Sequence, residues 1–119
     1  MGSLLTVTLR KPIEGEGKRE YVHKHEQEVK QADVGAAIIK FEAQDYNFVV
    51  VIPRANSLFT NPEENTLHFT VSPGTPEYTP TINTGVTNGN KYEYHVFCEG
   101  DRDWAHKPGS SPPKIIIDF

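Results

Sequence analysis

A chain of 119 residues is the size of one compact domain, able to bury roughly two-thirds of the surface its unfolded form exposes, with no need of a second core. Twelve Lys and Arg against sixteen Asp and Glu give a formal charge of -4, which disfavours attraction to phosphate backbones or anionic lipid and argues against nucleic acid as a partner. The hydrophobic share of 36% is that of a soluble globular protein, and the apolar runs at 48–52 and 115–117 fall far short of the roughly 18 residues that a spanning helix requires, so no membrane partner is expected.

Strand signals dominate from the start. Leu5, Val7 and Leu9 alternate with Thr6, Thr8 and Arg10, which predicts an opening strand with one apolar and one polar face. The segment 19–31 is polar throughout, and its Tyr21, Val22 and Val29 fit neither period, leaving an edge strand and a short helix both open. Lys24, Glu26 and Glu28 would suit an edge by discouraging pairing with other chains. Ala37, Ile39 and Phe41 line one side of a strand over 36–42, and 47–53 follows with apolar residues on both faces, as a central strand requires. Leu67, Phe69 and Val71 alternate with His68, Thr70 and Ser72. Prolines and glycines then interrupt 72–90, which predicts a connection with at most one short strand, and Asn88-Gly89 reads as a tight turn. Tyr92, Tyr94, Val96 and Cys98 share one side of the next strand, opposite Glu93, His95 and Phe97. Ile115, Ile117 and Phe119 line the closing one after Pro112-Pro113.

The run Gly-Asn-Lys-Tyr-Glu-Tyr-His-Val-Phe-Cys over 89–98 resembles the penultimate strand of the cupredoxins, in which a glycine turn leads into alternating aromatics and a cysteine. The stretch 39–53 is similar in spacing to their paired central strands, and 114–118 to their closing strand. The resemblance implies an all-β, single-domain, antiparallel or mixed β-sandwich with a cupredoxin-like Greek key. In that family a cysteine thiolate, two imidazoles and a weak axial thioether hold copper. Here Cys98 is followed at a distance by His106, the single methionine is Met1, and 53–60, where the second family histidine is expected, holds none. The resemblance therefore implies a domain without a standard copper site, in which Cys98 is a small buried hydrophobe.

Other constellations compete with this reading. On a strand, His23 and His25 would point the same way, and two imidazoles can begin a zinc or copper site if His68, His95, His106 or a carboxylate completes it. Glu99, Asp101 and Asp103 offer oxygens at alternating positions, with Arg102 among them as a neutralising cation. Cys98 with His95 or His106 is the single nucleophile and base pairing to consider; residues three apart on a strand face opposite sides, which argues against His95 and leaves His106 through the loop, and no oxyanion or nucleotide signature accompanies either. Trp104, the lone tryptophan, either plugs one end of the sandwich or contacts a partner.

The expectation is thus one domain over 1–119, noncatalytic and without a cofactor. It binds a protein or small ligand through the loops 53–65 and 99–111, with Phe59, Arg102 and Trp104 as contact residues. The rival is a copper or zinc protein using Cys98 with His106 or His23 with His25. A monomer is expected, or a weak dimer through the edge at 19–31. One cysteine excludes an intrachain disulfide, and the start lacks the features of a signal peptide, so the cytoplasm is the expected compartment. Met1-Gly2-Ser3 also reads as a cloning remnant that would have replaced a leader.

Overall fold

The structure is a computed structural model, and it describes residues 4–12, 19–23, 25–105 and 112–119. Strands dominate it, arranged in three sheets around one core. In the first sheet β1 (Leu4–Leu9) runs parallel to β3 (Ile38–Ala43), and β6 (Glu77–Tyr78) pairs antiparallel on the far side of β3. In the second, β10 (Lys114–Ile117) lies between β2 (Glu26–Val29), parallel to it, and β7 (Lys91–Glu93), antiparallel. The third is antiparallel throughout, with β5 (Leu67–Val71), β4 (Phe48–Ile52), β8 (His95–Cys98) and β9 (Asp103–Trp104) side by side. No helix among the described residues is long and apolar enough to cross a membrane.

The second and third sheets share one extended run. β7 and β8 are separated by Tyr94 alone, whose N–H donates to the Pro113 carbonyl at 3.0 Å, so 91–98 pairs first with β10 and then with β4. Period-2 alternation survives the change of partner, because it depends on backbone pleating and not on which strand lies alongside. Tyr92, Tyr94, Val96 and Cys98 all turn inward and are buried, as the sequence predicts. Ala37, Ile39 and Phe41 do the same, and β4 is central, with Phe48, Val50 and Ile52 fully buried and Val49 and Val51 half-buried on its other face. Phe41 joins the first sheet to the rest, its ring 5.5 Å from Phe69 and 5.7 Å from Tyr94.

Chain segments that change sheets explain where the structure departs from the sequence reading. Over 19–23 the chain lies against β1, with Val22 bridged to Leu9 and the Arg10 N–H donating to Tyr21 at 2.9 Å, while 26–29 forms β2 at the edge of the second sheet. Neither period fits 19–31 because it serves two sheets. Folding this segment over the end of β1 buries Arg10, expected on a wet face, whose guanidinium donates to His23 Nδ1 at 3.0 Å. At the other end, β10 stops at Ile117 and the Phe119 N–H is tied to Asn88 Oδ1, so Phe119 leaves the alternation and is exposed. The tight turn predicted at Asn88-Gly89 is present, with Gly89 at a φ of 92° as its third residue and the Asn90 N–H donating to Thr87, and it leads into β7.

The connection 72–90 is held by side-chain chemistry in place of a long strand. The Ile39 N–H donates to Thr79 Oγ1 at 2.9 Å in the interior, and the Thr79 hydroxyl donates to Pro80. Thr79→Val keeps the shape but leaves a buried N–H without its acceptor, and is expected to cost about 1–3 kcal/mol. Denaturant unfolding of Thr79→Val beside Thr79→Ser checks this; a valine variant as stable as the parent would refute it.

Candidate functional site

β4 and β8 are antiparallel, with Phe48 opposite Cys98 and Val51 opposite His95. The loop after β4 therefore leaves from one end of the sheet and the loop after β8 from the other, separated by the length of β4 at about 3.3 Å per residue. Loop 53–65 and the turn 99–102 therefore do not form one surface, and the remainder of the expected loop, 106–111, lies outside the described residues. Phe59 is buried, because the one-turn helix α1 (Ala55–Leu58) tucks Leu58 and Phe59 into the core, where Phe59 bridges to Ile82. Phe59 is thus a core residue and not a contact residue.

Around Cys98 the neighbours are aromatic and acidic. The Glu99 N–H donates to the Asn47 carbonyl at 3.1 Å, which brings the turn after β8 against 44–47, and not against 53–60, where the second family histidine was expected. Gly100 lies so close to Tyr46 that a Cβ would stand 2.7 Å from its ring. The Phe48 ring is 5.9 Å from Tyr21 and 6.5 Å from Tyr46, and Lys11 Nζ sits 4.9 Å above Tyr46. The Tyr21 hydroxyl donates to Asp101 at 2.8 Å, and Asp103 forms an ion pair with Arg19, its Oδ1 3.1 Å from Nε. Cys98 is fully buried; burial pushes its thiol up, opposed in part by backbone N–H groups of Asp101 and Gly100 that favour the thiolate. A thiol held protonated behind aromatic rings has the chemistry of a small apolar side chain.

The candidate metal ligands are distributed differently from the sequence expectation. The chain bends at His23 and at His25 as it passes from β1 to β2, so strand alternation does not align the two imidazoles. His23 is exposed and its Nδ1 accepts from Arg10; His25 is half-buried. His106 lies outside the described residues. His95 and Cys98 face opposite sides of β8, as predicted. Among the described residues, no three or more His, Cys, Asp or Glu stand together so as to hold a metal ion.

Trp104 is not the plug, a place taken by Tyr21, Tyr46 and Phe48. It sits on the edge strand β9 opposite Phe97, 45% exposed on the outer face of the sheet. Its ring meets Phe97 nearly edge-on at 5.0 Å and His95 at 6.3 Å, and the Arg19 Nε–H donates to its carbonyl at 2.8 Å. Val49 and Val51 stand opposite Phe97 and His95, so an apolar and aromatic strip crosses the outer face. Phe97, Val49 and Val51 were legible as apolar residues on a face otherwise given to solvent. Arg102, at a φ of 55°, is exposed at the tip of the neighbouring turn. His95 also borders a cleft of about 320 Å³ lined by Pro53, Arg54, Lys91, Glu93 and Lys114.

No family model, curated protein or solved structure matches the chain. The functional reading rests on its own geometry.

Tyr94 carries the clearest titration in the interior. It is fully buried, its hydroxyl has no hydrogen-bond partner among the described residues, and burial pushes its pKa well above the ordinary 10.0. The folded state keeps this proton where the unfolded chain releases it. The contribution to stability is whole below pH 10 and is lost above it, at about 1.4 kcal/mol per pH unit. Tyr21, raised by burial and by Asp101, acts in the same direction. Denaturant melts between about pH 9 and pH 11 are expected to fall less steeply for Tyr94→Phe than for the parent; parallel slopes would show that Tyr94 does not contribute.

Proposed function

We propose that the chain is a noncatalytic binding module of cupredoxin-like architecture, without a standard copper site, that engages its partner through the outer face around Trp104. The observation that carries this is the placement of Trp104. A large aromatic ring, 45% exposed, is held on a paired strand by edge contacts with Phe97 and His95, so little side-chain freedom is lost when a partner covers it. The architecture is supported by the run 91–98, which pairs first with the closing strand β10 and then with the central strand β4 and ends in an inward cysteine. The reading without copper is supported by the rings of Tyr21, Tyr46 and Phe48 at the Cys98 end and by the raised thiol.

The test compares the parent with Trp104→Ala in affinity capture from the source lysate. Trp104 is exposed, so the variant is expected to fold with stability within about 1 kcal/mol of the parent and to lose the partner that the parent retains. Identical recovery by both would remove the outer face from the reading. A strong visible band at one equivalent of copper that vanishes in Cys98→Ala would replace it with a thiolate metal centre.

A further inference from the structure

The cleft beside His95 brings together three cations, on a surface where several others meet carboxylates. Elsewhere Arg19 meets Asp103, Lys30 meets Glu28 and Asp118, and Lys40 meets Glu42. Arg54, Lys91 and Lys114 line one cleft of about 320 Å³, and none of the three forms an ion pair with a described carboxylate. Glu93 lines the cleft too and stands opposite Lys114 in register, but it does not close a salt bridge with it. Three cations against one carboxylate make this a positive site on a chain of net charge -4.

Of the three cations, Arg54 is also held in place. The Arg54 guanidinium lies 4.8 Å over the Tyr92 ring, whose hydroxyl is 2.7 Å from Ser57 Oγ, so it is positioned by stacking without being neutralised. Lys91 and Lys114 stand on the paired strands β7 and β10, whose register sets their spacing. A guanidinium fork and two ammonium-bearing side chains lining one concave site match an oxyanion of two charges better than a single carboxylate.

We infer that this cleft binds a dianionic oxyanion, with the chemistry of a phosphate monoester. The inference rests on the binding-module reading insofar as His95 joins the cleft to the Trp104 strip, which would place the rest of such a ligand on the outer face.

The test is a ¹⁵N-resolved NMR titration of the full chain with inorganic phosphate at constant ionic strength and slightly alkaline pH, with acetate as the singly charged comparison. Phosphate is expected to give saturable shifts centred on Arg54, Lys91, His95 and Lys114, and acetate to bind more weakly by about tenfold. Lys91→Ala with Lys114→Ala should weaken phosphate by about tenfold or more while signals of the core remain in place; Lys91→Gln alone serves if the double variant does not fold. Shifts that never saturate, shifts spread over the whole surface, acetate binding as tight as phosphate, or undiminished binding by the lysine variants would each mean an adventitious ion only. Trp104→Ala separates the two readings. Phosphate binding retained there while partner capture survives sinks the outer-face proposal alone, and absent phosphate binding with Trp104-dependent capture sinks the anion site alone.

Discussion

Phe41→Ala is expected to destabilise the domain by about 3–5 kcal/mol, lowering the melting temperature by roughly 4 °C for each kcal/mol. Phe41 is fully buried in β3, and its ring meets Phe69 of β5 and Tyr94 of the 91–98 run, so one side chain joins the first sheet to the other two. The loss has two parts, the apolar area no longer removed from water and the cavity left where two rings lose their common neighbour. Phe41→Leu, which refills most of that volume, should recover more than half of the loss. Thermal or denaturant unfolding of both variants checks this, and an alanine cost below about 1 kcal/mol would mean that the sheets do not pack through this ring.

Phe48→Ala is expected to cost a similar amount, about 3–5 kcal/mol, and in addition to open Cys98. Phe48 is fully buried opposite Cys98 and stands between the rings of Tyr21 and Tyr46, which close that end of the core. In the parent the thiol is buried and its pKa is raised, both of which suppress alkylation. Alkylation by a neutral thiol reagent under native conditions should therefore be slow in the parent and at least about tenfold faster in Phe48→Ala, since local opening in the variant exposes the sulfur more often. Equal rates would show that Cys98 is reached by a route the three rings do not guard.

The strands themselves were legible because each is written in local alternation. Val7 and Leu9, Ile39 and Phe41, Tyr92, Tyr94, Val96 and Cys98, and Ile115 and Ile117 all face the core as their spacing predicts, whatever their pairing partners. Reading failed where a segment answers to two partners or to a distant cover. Arg10 looked solvent-facing until 19–23 folded over it, and His23 and His25 lie outside the strands, where alternation by twos does not apply. Phe59 looked like a loop residue and is core, because one turn of helix suffices to direct it inward.

The candidate site shows the same division. The inward direction of Cys98 followed from counting by twos. That Trp104 stands outside on β9 beside Phe97 and His95, and that Tyr21 and Tyr46 fill the end of the core in its stead, was decided by antiparallel pairing between segments far apart in sequence. Pairing of β4 with β8 sent loop 53–65 and the turn 99–102 to opposite ends, and pairing of β7 with β10 brought Lys91 and Lys114 to the cleft that Arg54 also lines. Residue order by itself determined which side chains turn inward, since pleating is a property of each strand alone. Only the tertiary structure decided which of them meet, since strand order and direction arise from long-range contacts that no local period encodes.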